Sequence, residues 1–527
     1  MMMDSTRILE FLKGKSILIT GSTGFLAKIF VEKLLRVQPE VKRLFLLIRA
    51  ADAISAAQQR LQNEILDKDL FRILKEKHGD GFPAFAASKL CPVAGDITYP
   101  NLGIQDPDLQ EKLCNEVEIV VNVAATTNFY DRYDVALSIN VLGAKRVLEF
   151  ARRCAKLEML LHVSTAYVVG EQSGLILEKR FGMGETLRGG SDHYLDIEAE
   201  IELAETRKME LQADPNVTEA AQRQAMKELG LKRAKLFGWP NTYVFTKAMG
   251  EMVLGHLRPA ELPLVILRPT IILSTLREPL PGWIEGTRTV DSLIIGYAKG
   301  KLSCLFGDLD LISDVVSGGS SLSFVMFIFG IGISSNRLSA DVQIPGDMVV
   351  NAMAAAMAAH AGEGGEFIYH VGSSVRNPVA FSLIEQCGFR YFLENPRVTK
   401  SGKTRKTKRM PVFKNMFFFR AFMALRFKLP LELMHLVSLL SGGAIFASEY
   451  KKLNRIYKFG MHLVDLYQPY VFFKGRFDDK NLEGLRRSMA PRVDCEVNMF
   501  DFDPKHVDWE LYFSTIHIPG VMKYSCK

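Results

Sequence analysis

Lys15–Lys28 reads KSILITGSTGFLAK, an apolar run joined through a glycine turn to a helix. Ser16 to Thr20 (SILIT) is short and β-branched, as expected of a strand covered on both faces of a parallel sheet. Gly21, Gly24 and Ala27 follow the spacing G-x-x-G-x-x-A. The first glycine permits a sharp turn, the second lets backbone approach a pyrophosphate, and the alanine lets helix pack on strand. Phe25 to Arg36 has apolar residues at helical spacing, so the turn opens a helix whose first amides face an anion. A second apolar run, Leu44 to Ile48, arrives at the distance expected of a βαβ unit and ends at Arg49. Where an NAD enzyme places an acid for the ribose hydroxyls, a guanidinium suits a 2′-phosphate, so the expected dinucleotide is NADPH.

A chain of 527 residues exceeds one ordinary core, and at least two domains are expected. Seven scattered cysteines with no C-x-x-C argue against a disulfide framework or a zinc site, and no metal is expected. No signal-peptide core opens the chain, too few residues precede the first strand for a transit peptide, and no apolar run reaches membrane-spanning length. The net charge of +7 is modest, yet Arg397 to Lys428 holds eleven Lys and Arg and no acid.

Further apolar runs order the middle of the chain. Ala51 to His78 reads as a charged amphipathic helix, and Leu90 to Ala94 as a strand closed by Gly95-Asp96-Ile97. An aspartate there can meet an adenine amine or simply cap a turn. Glu118 to Val123 is a buried strand followed by Ala124 and Ala125, small enough for backbone to approach a cofactor. Leu160 to Gly170 reads as a strand ending in adjacent hydroxyls, Ser164 and Thr165. Tyr243 and Lys247 stand one helical turn apart, so both point to one side. There the ammonium can lower the phenol's pKa and hold a ribose, while the Ser or Thr hydroxyl polarises the carbonyl that the phenol protonates. Ile197 to Leu236 is a long solvated helical excursion on the substrate side. Leu264 to Arg268 is the next strand, with Pro269 and Ile272 following near the nicotinamide.

With ITGSTGFLAK, VNVAATTNF, INVLGAKRVLEFA, HVSTAYVVG, YVFTK, EPLPGWIEG, IPGDMVVNAM, YHVGSS and FDFDPKHVDWELYFSTIHIPG in place, the chain resembles the plant-type alcohol-forming fatty acyl-CoA reductases of the extended short-chain dehydrogenase superfamily. A sugar-nucleotide epimerase or dehydratase would share the turn and Y-x-x-x-K but not PGWIEG. The resemblance implies an α/β fold: a doubly wound parallel Rossmann sheet with a mostly helical C-terminal domain, divided into a reductase domain over 1–380 and a sterile domain over 381–527. It implies that Gly21, Ser22, Thr23, Gly24, Phe25 and Leu26 cradle the pyrophosphate, that Arg49 takes the 2′-phosphate, and that Asp96 and Ile97 face the adenine. The resemblance also implies Thr165 as the carbonyl-polarising hydroxyl with Ser164 in reserve, Tyr243 as the proton donor and Lys247 as its tuner. The implied reaction is two-step, NADPH-dependent reduction of long-chain acyl-CoA through an aldehyde to a primary alcohol, in wax, cutin or suberin type metabolism. A reductase that stops at the aldehyde would share these motifs.

The basic run Lys400 to Arg409 leads into a Phe-, Met- and Leu-rich stretch that suits an anionic membrane surface. Peripheral association with the cytosolic face of the endoplasmic reticulum is expected, and a plastid location and a nucleic-acid partner are not. One segment departs from the family pattern. Val316 to Val342 intervenes between Asp314-Val315 and Ile344-Pro345-Gly346, flanked by Asp-Val at both ends. It reads as unspliced read-through, with a membrane-dipping hairpin as the alternative. If genuine, it would leave a lipid-associated, NADPH-binding but inactive chain.

Overall fold

The computed structural model describes residues 5–50, 54–189, 194–287, 289–299, 304–306, 343–397, 402, 404, 407–442, 445–471, 475–488 and 499–526. The segment 316–342 and part of the basic run 400–409 lie outside the described residues.

Seven parallel strands form the centre: β1 (Ser16–Thr20), β2 (Arg43–Ile48), β3 (Leu90–Ala94), β4 (Ile119–Asn122), β5 (Met159–Val163), β6 (Leu264–Pro269) and β7 (Glu366–Val371). Their order is β7-β6-β5-β4-β1-β2-β3, the doubly wound arrangement expected of a Rossmann sheet. Alternation along each strand explains the unbroken apolar runs. Ile17 and Ile19 join one core while Leu18 joins the other, and Val121 and Val120 divide the same way. The winding reverses between β1 and β4, which opens a crevice at their carboxyl ends.

Helix α1 (Phe25–Val37) follows β1 and is more deeply covered than its amphipathic pattern suggests, for Lys28, Glu32 and Lys33 are buried with its apolar residues. Those charges are paired across tertiary contacts. Lys28 meets Glu285, Lys33 meets Glu278, and Arg36 bridges Glu278 at 2.8 Å and Glu32 at 3.0 Å. The loop that supplies Glu278 is held by Asp347, whose carboxylate accepts from the amides of Leu276 and Arg277 at 2.8 Å and of Glu278 at 3.1 Å.

Three local readings are corrected. The single helix expected over Ala51–His78 is Ile54–Arg60, a wide turn Leu61–Leu66, a tight turn Asp69–Phe71 and Arg72–His78, bent to cover the edge strand β3. The excursion 197–236 is two helices, Ile197–Ala213 and Glu219–Leu236, parted at Asp214-Pro215, where proline removes a helical donor. It is also anchored: buried Glu200 accepts from Tyr133 at 2.7 Å and from Arg233 at 2.9 Å. The strand expected to carry Ser164 and Thr165 stops at Val163, because Thr165 turns to cap the short helix Ala166–Val169.

Helices dominate after Phe381, but the C-terminal segments fold back on the sheet. Gly475–Phe477 pairs in parallel with Gly174–Ile176. Asn377 donates to the carbonyls of Pro504 and Val507 at 2.7 Å, and Trp509 donates to Asn377 O at 2.8 Å. Gly282 lies directly on Gly520, where a Cβ would come within 2.0 Å of the Gly282 carbonyl. PGWIEG and IHIPG are therefore two sides of one interface.

Candidate active site

The turn after β1 leaves room for nothing but backbone. Gly21 has φ +66°, and a Cβ there would lie 2.8 Å from Cα and N of Ala124. Gly24 donates to Gly21 O at 2.8 Å and is the N-cap of α1 without a side-chain cap, so the first amides of that helix stay available to an anion. The neighbouring side chains turn inward. Ser22 Oγ donates to Ile19 O at 2.8 Å, Phe25 stacks on Trp283 at 5.2 Å, and Leu26 is buried, so these residues offer amides rather than side chains. Thr23 is half-exposed on the open side of the turn.

At the next strand end Arg49 is exposed, its carbonyl accepting from Arg60. Asp96 follows β3 and binds Thr98 N through Oδ1 at 2.8 Å, an Asx turn, while Ile97 packs into the core under helix Gly143–Ala151. Any adenine contact from Ile97 is left to its backbone. Ala124 donates to Thr20 Oγ1 at 3.2 Å, and Ala125 beside it is half-buried. Pro269 ends β6 and is buried, and Ile272 lies in a short strand, Ile271–Leu273, beside Gln343–Pro345.

Across the crevice, helix α2 (Thr242–Leu257) carries Tyr243 and Lys247 toward the end of β5. Tyr243 lies beside Thr165, close enough for that hydroxyl to favour the phenolate, and stacks on Phe129 at 5.7 Å. Lys247 donates to Val163 O at 2.7 Å. Ser164 Oγ is buried with no hydrogen-bond partner among the described residues. Tyr243, Lys247, Thr165 and Ser164 thus form one cluster. Its electrostatics differ from the sequence reading. Burial, opposed by the Thr165 hydroxyl and aided by the Glu251 charge, raises the Tyr243 phenol well above its ordinary value. Burial also lowers Lys247 to about 8, against the pull of Glu251. An ammonium that lowers the phenol is therefore not what this arrangement contains: desolvation dominates both groups.

Several residues not singled out from sequence support the cluster. Asn140 holds Thr126 N and O at 3.1 and 3.2 Å and donates to Thr246 Oγ1 at 3.0 Å, tying the loop after β4 to α2. Behind the lysine, Thr20 donates to Asn122 Oδ1 at 2.6 Å and Asn122 Nδ2 lies 3.0 Å from His162 Nδ1. Burial and the neighbouring Lys247 hold His162 neutral. Glu251 and Arg268 pair closely and are both buried, at 2.6 to 3.1 Å. The available signal was a lone polar residue at or next to the end of an apolar strand, IVVN for Asn122 and MLLHV for His162.

Comparisons with known proteins accord with this geometry. A male sterility protein model for NAD binding matches residues 19–353, and a second male sterility protein model, Sterile, matches 426–527. Fatty acyl-CoA reductase 1 of Arabidopsis thaliana is 46% identical, covering 98% of this chain and 99% of its own. The alcohol-forming fatty acyl-CoA reductase of Simmondsia chinensis is 44% identical over 98% of each chain. Among solved structures, the terminal R domain from the myxalamid PKS-NRPS biosynthetic pathway superposes with a TM-score of 0.51 at 15% identity, covering 97% of this chain and 91% of its own, a likeness of fold. The chain belongs to the family of plant fatty acyl-CoA reductases.

Proposed function

We propose that the protein reduces long-chain fatty acyl-CoA to the primary alcohol with two NADPH, releasing CoA. The observation that supports this reading is the convergence of Tyr243 and Lys247 of α2 with Thr165 and Ser164 at the carboxyl end of β5, across the crevice from the Gly21–Gly24 turn. A nicotinamide dinucleotide fits: the turn excludes a Cβ, the first amides of α1 lack a side-chain cap, and exposed Arg49, just after the second strand, supports a 2′-phosphate. When bound, a first NADPH would supply a hydride to the thioester carbonyl, and a second NADPH, exchanged for the spent NADP+, would supply one to the aldehyde.

The protein's own groups act at the oxygen. In the first step the hydroxyls of Tyr243 and Thr165 donate to the thioester carbonyl and hold the charge that develops there. The hemithioacetal oxyanion then collapses and breaks its C–S bond, CoA leaves as thiolate and takes its proton from solvent, and an aldehyde remains in the same hydrogen bonds. In the second step Tyr243 gives its proton to the forming alkoxide. A phenol raised by burial stays protonated at neutral pH, which suits a donor. Lys247, close to neutral-pH titration, returns that proton and reaches the ribose once its bond to Val163 O is exchanged.

The test is product analysis by gas chromatography after incubation with palmitoyl-CoA or stearoyl-CoA and either NADPH or NADH. Primary alcohol is expected with NADPH. Aldehyde alone would make this a one-step reductase. Tyr243→Phe is expected to lower turnover by about 10²–10⁴-fold with NADPH binding kept, and unchanged turnover would overturn its role. Arg49→Ala is expected to weaken the NADPH preference about tenfold or more, by removing a charge-assisted contact.

A further inference from the structure

Helix Met416–Met423 continues through Ala424–Lys428 into Leu429–Leu440, capped at its start by Asn415, whose side chain accepts from Phe417 N at 2.7 Å. Its inner side is apolar: Phe419, Met423, Phe427 and Leu431 are buried at four-residue spacing. Its outer side is apolar too. Leu425, Leu429, Leu433, Leu436 and Leu440 are exposed, Leu425 at 70% and Leu440 at 81%, and their spacing makes one stripe along the helix. Phe417 and Phe418 extend the stripe at one end, and Ile445 and Phe446 at the other.

A helix apolar on opposite sides is built for a partner on each. The inner partner is protein, with Phe422 against Phe413 at 4.9 Å and His435 stacked on Tyr450 of helix Ala447–Val471 at 4.3 Å. Charge identifies the outer one. Arg420, Arg426 and Lys428 are exposed along the same helix with Lys414 just before it, Glu432 is the helix's one acid, and the chain from Arg397 to Lys428 has eleven cations and no acid. A second copy would set these cations against their own kind, whereas anionic lipid complements them. Among the described residues no helix is long and apolar enough to cross a membrane. We propose that this helix lies in the plane of an anionic bilayer surface, with the leucine stripe among the acyl chains and Arg426 and Lys428 reaching up to the lipid phosphates.

Flotation of the full chain with vesicles tests this, and it reads lipid binding rather than turnover, so it stands apart from the reductase reading. Binding to phosphatidylcholine vesicles containing phosphatidylserine is expected to exceed binding to phosphatidylcholine alone by about tenfold or more, and to fall with salt. Leu425→Glu with Leu433→Glu is expected to lower binding at least about tenfold, with the urea midpoint kept. Arg426→Glu with Lys428→Glu is expected to erase the preference for phosphatidylserine. The proposal is overturned if the wild-type chain stays lipid-free with both vesicles, or if the double leucine variant binds as wild type does. It is equally overturned if sedimentation shows that variant to have lost a dimer while vesicle binding is unchanged.

Discussion

The crevice beside Tyr243 and the outer side of helix 416–440 depart from ordinary packing in opposite senses. One buries a lysine held by a backbone carbonyl and a serine hydroxyl with no hydrogen-bond partner among the described residues, and the other exposes a leucine stripe. Each costs the folded chain stability, and we propose a second molecule at each: a polar nucleotide and carbonyl at the first, anionic lipid at the second. The terminal block 499–526 shows what the same residue types do when the chain itself supplies the surroundings. Phe500, Tyr512 and Phe513 are fully buried, and Ser274 Oγ lies 2.9 Å from Tyr512 OH and 3.0 Å from His517 Nδ1, whose Nε2 is 3.2 Å from buried Asp291. The apolar rings of the terminal block find their surroundings within the chain, and the leucine stripe does not.

Lys247→Met is the strongest way to probe this contrast. Turnover is expected to fall about 10²–10⁴-fold. Stability is expected to rise at neutral pH by up to about 3 kcal/mol, since the folded chain no longer carries a lysine lowered to about 8. Between about pH 8 and 10.5 the unfolded wild type holds a proton that the folded form has released, so wild-type stability climbs with pH there. The advantage of the methionine variant should shrink over the same window. Urea midpoints at several pH values check this, and a variant less stable than wild type at pH 7 would remove the claim of stored cost.

His517→Leu acts on the scaffold instead. It removes the imidazole between Ser274 and Asp291, both buried, and is expected to lower stability by about 3 kcal/mol. A loss below about 0.5 kcal/mol would mean that the terminal block is not held as described. The smallest effect is expected at the helix surface, where Leu433→Ser should shift the unfolding free energy by no more than about 0.5 kcal/mol, because that side chain is already exposed. A loss of about 2 kcal/mol would show that the leucine is covered by protein in solution.

The strand-turn-helix at 16–37 was legible because each local signal agreed: β-branched residues, glycines where only backbone fits, and helical spacing after them. The two hydroxyls, Tyr243 and Lys247 were legible as residues for the same reason. Their electrostatics were not, because a helical turn predicts proximity, whereas the direction of a pKa shift depends on how much water the whole fold removes. Asn140, Asn122 and His162 escaped notice because a polar residue in an apolar run looks the same whether it faces solvent or closes a buried chain.

Sequence alone therefore determined the parallel sheet, the dinucleotide turn and the family, since these rest on spacings between near neighbours. Only the tertiary structure decided that PGWIEG meets IHIPG, that Asp347 holds the loop 276–278, and that the apolar run 416–440 keeps one side in the core and one in water. Those contacts join residues far apart in the chain, or turn on which side of a helix the rest of the protein covers, and local pattern carries neither.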